Sequence, residues 1–147
     1  MYRLLIALHL LGASVWIGGH IVLSTAVLPR ALRNRDPAIV LDFEAGFERV
    51  GLPALLVQVA TGLWLAYLWL PRVSAWFALD TTLSRLIAAK LVLLVATLAL
   101  ALHARLRLIP RLDGTNLGIL AYHVVAVTII SIGFLLAGVG IRTHGLF

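Results

Sequence analysis

The stretch "LGILAYHVVAVTIISIGFLLAGVGI", residues 117–141, decides the fold, because it contains no Asp, Glu, Lys or Arg. About 20 apolar residues are enough for a helix to cross the hydrocarbon core of a bilayer. Three further runs of predominantly apolar residues lie at residues 4–28, 50–70 and 86–106. The sequence therefore predicts an all-α protein with four membrane-spanning helices.

The composition of the whole chain agrees with this prediction. Residues 1–147 are 62% hydrophobic and only 12% charged, far from the composition of a soluble domain. This length predicts a single integral membrane domain. The chain has no cysteine, which excludes disulfides and thiolate metal sites. The net charge of +6 comes from arginines between the apolar runs, which favours membrane loops over a nucleic-acid partner.

Four successive spans predict an up-down-up-down four-helix bundle. A short amphipathic helix is expected at the membrane interface between helices one and two. Asp36 is a suitable N-cap for it, and Pro37 suits the first helical position. The apolar residues Ile39, Phe43 and Phe47 then recur at helical spacing, as in a helix that lies on a membrane surface.

The arginines predict the orientation of the bundle. Seven of them lie around the connections that follow the first and third runs, and four lie on the opposite side. Because basic residues accumulate in cytoplasmic loops, both termini are expected outside the cytoplasm. In a Gram-negative cell this is the periplasmic side of the inner membrane.

Ionisable groups inside the spans are the functional candidates, because each costs a few kcal/mol in the bilayer. At 100° and 1.5 Å per residue, His9 and His20 share one helix face within about 20° and differ in depth by about 16 Å. Alternating helix directions then predict two layers. The inner layer contains His20, His103 and His123, and the outer layer contains His9, with Lys90 and His144 as further candidates.

Lys90 and His103 cannot both face the bundle axis, since thirteen residues separate them by about 140° around a helix. One of the two is therefore expected to point elsewhere.

The residue types limit the chemistry. Imidazole suits haem iron, Cu(II) and zinc, whereas a soft Cu(I) site of Cys and Met ligands cannot be built. All six acidic residues lie outside the spans, which argues against a carboxylate di-iron centre. No Ser-His-Asp arrangement or phosphate-binding loop is present, so hydrolytic and nucleotide-dependent reactions are not expected.

Gly18 and Gly19, directly before His20, have two interpretations. Glycines allow close packing of helices in a membrane. They also leave room for a flat macrocycle beside a ligating histidine. Under the second interpretation, arginines at the outer helix ends, such as Arg142, would pair with haem propionates.

Two stretches, "LHLLGASVWIGGHIVLSTAVLPRALR" (residues 8–33) and "RLIAAKLVLLVATLALALHARLRLIPRL" (residues 85–112), resemble the small bacterial CopD-family membrane proteins. This resemblance implies a role in copper uptake or resistance. A weaker resemblance is to HemJ-type membrane proteins of haem synthesis. It rests on His9 followed seven residues later by Trp16, and on Lys90 early in a later span. That family is associated with haem b.

Three hypotheses remain open. The favoured one is a b-type haem protein that transfers electrons to a redox partner. Two histidines would ligate the haem iron. The candidate residues of the haem site are His9, Trp16, Gly18, Gly19, His20, His103, His123 and Arg142. The second is a copper-handling protein whose metal ligands are drawn from His9, His20, His103 and His123, with a periplasmic copper protein as its partner. The third is a structural subunit whose histidines only form hydrogen bonds. A homo-oligomer is compatible with each of them.

Overall fold

The computed structural model describes residues 1–142. In this part of the chain, four helices are long and apolar enough to cross a membrane: α1 (Tyr2–Asn34), α2 (Ala38–Trp69), α3 (Thr82–Arg111) and α4 (Leu117–Arg142). No strand occurs among the described residues. The predicted all-α, four-span architecture is confirmed. The first three helices extend well beyond the predicted runs, since the polar and arginine-containing turns at their ends remain helical.

The bundle has two chemically different ends. The terminus end contains Tyr2, Arg142 and the connection 70–81, which includes a short 3-10 helix, Val73–Phe77. The arginine-rich end contains the connections 35–37 and 112–116, and seven arginines lie in or near these connections. Each helix therefore runs from one end to the other, and successive helices alternate in direction.

Packing divides the helices into two pairs that α4 joins. α1 packs mainly against α2 and α3 against α4, and α4 also contacts α1. The larger buried cluster lies towards the arginine-rich end and consists of Leu23, Leu28, Ala31, Val40, Leu117, Leu120 and Val124. Many large apolar side chains are exposed around the outside, among them Leu56 and Val92. Such a surface suits the hydrocarbon of a bilayer, in which apolar side chains need no further cover.

The predicted amphipathic interfacial helix is not a separate element, and this part of the prediction is wrong. The Asp36 carboxylate accepts a hydrogen bond of 2.9 Å from the N–H of Ala38, the first residue of a helix whose N-cap is Pro37. That helix is α2, which continues without a break through Pro53 to Trp69. Its first apolar stripe packs inside the bundle rather than on lipid, with Phe43 against the larger buried cluster and Phe47 against α1.

α1 and α3 each contain one π-helical turn close to the arginine-rich end. The turn Leu23–Val27 lies just before Pro29, and the turn Ala104–Leu108 lies just before Pro110. Proline has no backbone N–H to donate to the preceding turn, so the regular hydrogen-bond ladder is interrupted there. A π turn is one of the ways in which a helix accommodates such an interruption.

Candidate functional site

His103 of α3 and His123 of α4 are directly hydrogen bonded. Nδ1 of His103 lies 2.8 Å from Nε2 of His123, and the two rings stack with centroids 4.9 Å apart. Nδ1 of His123 lies 3.0 Å from the carbonyl oxygen of Ile119, which can only accept. In the neutral pair, Nδ1 of His123 therefore carries the proton and its Nε2 accepts from Nδ1–H of His103.

His20 lies on α1 between two aromatic rings. Its ring centroid is 4.4 Å from that of Trp16 and 5.9 Å from that of Phe47. Its Nδ1 donates to the carbonyl oxygen of Trp16 at 2.9 Å, which leaves Nε2 with a lone pair. The hydroxyl of Thr128 on α4 donates to the carbonyl oxygen of His20 at 3.3 Å. His20 is thus fixed at a junction of α1, α2 and α4.

The two glycines before His20 differ sharply in their surroundings. A Cβ atom at Gly19 would overlap the ring of Phe47, whereas a Cβ at Gly18 would meet nothing within 4 Å. Trp16, only 8% exposed, closes the same region from α1. The space beside Gly19 that the haem hypothesis requires is therefore occupied by Phe47.

His9 lies between α1 and α2 in the half of the bundle nearer the terminus end. Its Nδ1 is 2.9 Å from the carbonyl oxygen of Gln58 and 3.2 Å from the hydroxyl of Thr61. A Cβ at Gly62 would come within 2.9 Å of Cε1, so the ring fits closely against a glycine. Since the Gln58 carbonyl can only accept, Nδ1 carries the proton and Nε2 again has a lone pair.

Lys90 of α3 points into the bundle rather than out of it. Its Nζ is 3.4 Å from the position of a Cβ at Gly138 on α4. His103 on the same helix is exposed. The expectation that Lys90 and His103 face different directions is confirmed.

The structure brings two of the three predicted inner histidines together. His103 and His123 form a pair, while His20 packs with Trp16 and Phe47. Within residues 1–142, no three His, Cys, Asp or Glu side chains are grouped so as to hold a metal ion. Arg142 is exposed at the end of α4. His144 lies outside the described residues.

Two buried polar groups escaped the sequence analysis. In the described part of the chain, Oε1 of Gln58 and Oγ of Ser131 are buried without a hydrogen-bond partner. Gln58 is the only glutamine and lies inside an apolar run, so it could have been noticed as an amide that is costly in lipid. Ser131 gave no such signal, because serine is common where membrane helices pack.

The histidines share an arrangement that suits metal ligation. His9, His20 and His123 each donate Nδ1–H to a backbone carbonyl, which leaves Nε2 as the unprotonated nitrogen; that of His123 accepts from His103. Histidines that bind metals commonly hold their second nitrogen in this way, which fixes the tautomer and the ring orientation. The chain therefore presents imidazole nitrogens that are prepared for a metal, although they are not gathered at one point.

A family model described as "Copper resistance protein D" (CopD) matches residues 41–141, which are 101 of the 147 residues. The match covers most of α2, the whole of α3 and nearly all of α4, and it includes His103 and His123. His9 and His20 on α1 lie before it. No curated protein and no solved structure was found to match the chain.

Proposed function

Since the chain belongs to the copper resistance protein D family, we propose that it handles copper ions in the membrane. The family match carries this proposal. The ligand types agree with it, because imidazole binds copper and the bundle contains four intramembrane histidines. Copper, the second of the hypotheses from the sequence, thereby replaces haem as the preferred one.

The pair formed by His103 and His123 is the proposed copper-binding site. Nitrogen atoms 2.8 Å apart leave no room for an ion on the line between them, since imidazole–metal bonds, with zinc as the guide, are about 2 Å long. A small separation of the stacked rings would admit the ion. If His103 moves its proton from Nδ1 to Nε2, both facing nitrogens offer lone pairs without loss of a proton from the pair.

Haem b gains no support from the family match. The ring of Phe47 also occupies the space beside Gly19 that the macrocycle would need. Electron transfer and a redox partner were parts of the haem hypothesis, and we do not propose them for this chain.

We further propose that the arginine-rich end faces the cytoplasm and that both termini face the periplasm of a bacterial inner membrane. The support is the excess of arginine at one end of the bundle. In this orientation a periplasmic copper protein would meet the terminus end.

Copper binding by the purified protein tests the proposal. The protein in lipid nanodiscs is titrated with Cu(II), and binding is followed by electron paramagnetic resonance and elemental analysis. We expect His103→Ala and His123→Ala each to weaken binding at least tenfold, because each removes a ligand.

The matched control is Tyr122→Phe, which changes an exposed side chain next to His123 without removing a ligand. It should bind copper like the unaltered protein. A protein that binds no copper, or histidine variants with unchanged affinity, would contradict the proposal. A visible absorption spectrum with sharp reduced α and β bands would instead restore the haem hypothesis.

A further inference from the structure

Between His20 and His9 the bundle contains two buried oxygen atoms that have no partner among the described residues, Ser131 Oγ and Gln58 Oε1. We propose that His20, Ser131, Gln58 and His9, the polar ladder, form a passage along which copper ions cross the bundle. This inference rests on the proposed copper function and names the path within it.

Interhelical contacts fix the order of the ladder. The hydrogen bond from Thr128 to the His20 carbonyl places Thr128 level with His20. Ser131 is three residues further along α4, about 4.5 Å nearer the terminus end. A Cβ at Gly12 would lie 3.0 Å from Cβ of Gln58, so Gln58 is level with Gly12.

These positions divide the membrane depth into short steps. Gly12 lies three residues from His9 along α1, which is about 4.5 Å, and His9 lies about 16 Å from His20. The remaining interval, between Ser131 and Gln58, is therefore about 7 Å in depth. The four residues of the ladder therefore lie at successive depths, in the order His20, Ser131, Gln58, His9.

Each rung offers a lone pair to a cation. The tautomers assigned above leave Nε2 of both histidines as acceptors. Gln58 contributes an amide oxygen and Ser131 a hydroxyl oxygen, and neither receives a hydrogen bond from a described residue. A metal ion or a hydrated cation would therefore find an acceptor atom at each of the four depths.

Other buried hydroxyls show that the missing partners are unusual. Thr61, Ser84 and Thr97 are also buried, and each donates to a carbonyl oxygen three or four residues earlier in the chain. Ser131 has only 1% of its surface exposed and does not do so. A buried polar group without a partner is costly, so a purely structural role explains Thr97 but not Ser131.

Lys90 lies near the His9 end of the polar ladder. It is the only lysine, and its contact with Gly138, ten residues beyond Thr128, places it about 15 Å from the level of His20, near the depth of His9. No acidic residue lies in the terminus half of the four helices to neutralise it, since Asp80 is in the connection before α3. A positive charge at this point disfavours a second positive charge on His9, so Lys90 limits how often a copper ion occupies that rung.

Copper flux into liposomes tests the passage. The full chain is reconstituted in vesicles that contain a copper-sensitive dye, and copper is added outside. We expect Ser131→Ala and Gln58→Leu each to reduce the flux at least fivefold while copper binding at the His103–His123 pair is unchanged. Lys90→Met should increase the flux.

The matched control is Thr97→Val, which removes a buried hydroxyl that already has a partner, and its flux should be unchanged. Thermal unfolding accompanies each measurement, and Ser131→Gly serves as a second variant where Ser131→Ala does not fold. Because Ser131 Oγ has no partner to lose, Ser131→Ala should not lower the Tm.

The other possible outcomes distinguish failure of the passage from failure of the proposed copper function. Ladder variants with normal flux overturn the passage. A protein that binds copper but passes none, or passes only protons, also overturns the passage and leaves the proposed copper binding in place. A protein that binds no copper at all removes the proposed function and the passage together.

Discussion

Gly18 and Gly19 are adjacent in the sequence and opposite in their surroundings. Only Gly19 faces the ring of Phe47, while the direction of a side chain at Gly18 is open. Sequence alone presented the two as equivalent, because the difference depends on where a residue of α2 lies. Close packing of α1 on α2 is therefore the interpretation that the structure supports for Gly19.

Gly19→Ala should destabilise the protein by about 1–3 kcal/mol, since the added methyl group must displace a packed ring. Gly18→Ala should be neutral or stabilising by up to about 1 kcal/mol, because alanine favours the helix and nothing opposes it. Thermal unfolding in one detergent measures both. A Gly19→Ala variant as stable as Gly18→Ala would show that Phe47 is not held against this position, and Phe47→Leu should rescue the loss.

The histidines show which side-chain positions can be predicted from the sequence and which cannot. The eleven-residue spacing placed His9 and His20 on one face, and both do contact α2. Helical geometry also predicted correctly that the side chains of Lys90 and His103 point in different directions around α3. It could not show that His123 pairs with His103 and leaves His20 apart, because depth along a helix does not determine which way a side chain points across the bundle.

Among the helices, the first turns of α2 were predicted wrongly, as a separate helix at the membrane interface. An apolar stripe such as that of Ile39, Phe43 and Phe47 has the same pattern whether it meets lipid or another helix. Here it meets the rest of the bundle. The four spans, by contrast, were predictable, because the bilayer requires a minimum apolar length and leaves few alternatives for the backbone.

The turn before α4 provides a pH-sensitive prediction. Hydrogen bonds from the Thr115 hydroxyl, the Thr115 N–H and the Asn116 N–H hold the pKa of Asp113 below its usual value. Because the pKa is lowered by folding, the stabilisation is present above the unfolded value and is lost as pH falls through the folded value. Thr115→Val should raise the pKa of Asp113 towards its usual value.

Nuclear magnetic resonance tests this by titration of the Thr115 and Asn116 amide shifts in acid. Both shifts should move together as Asp113 takes up its proton, and Asp113→Ala should abolish the movement. A midpoint that Thr115→Val leaves unchanged would show that the hydroxyl does not hold the carboxylate.

The orientation of the bundle in the membrane can be tested directly, because the chain has no cysteine of its own. Ser74→Cys lies in the connection at the terminus end, and Thr115→Cys lies at the arginine-rich end; both positions are exposed. With a maleimide that cannot cross membranes, intact spheroplasts should label Ser74→Cys and not Thr115→Cys. Labelling of Thr115→Cys before lysis would reverse the proposed orientation.

The ion pair between Arg105 of α3 and Glu48 of α2, at 2.7 Å, joins two helices that pack mainly with other partners. Both side chains are partly exposed, so the pair contributes at most about 1 kcal/mol. The contacts of α4 with α1 also link the two helix pairs.

The unbroken continuation of α2 has one more consequence. α1 with 33 residues and α2 with 32 are each about 48–50 Å long, while the hydrocarbon core of a bilayer is about 30 Å thick. The surplus belongs at the arginine-rich end, where residues 30–49 carry four arginines and four acidic side chains. The charged ends of α1 and α2, which pack against α3 and α4, are therefore expected beyond the hydrocarbon on that side, where a water-soluble protein can reach them without entering the membrane.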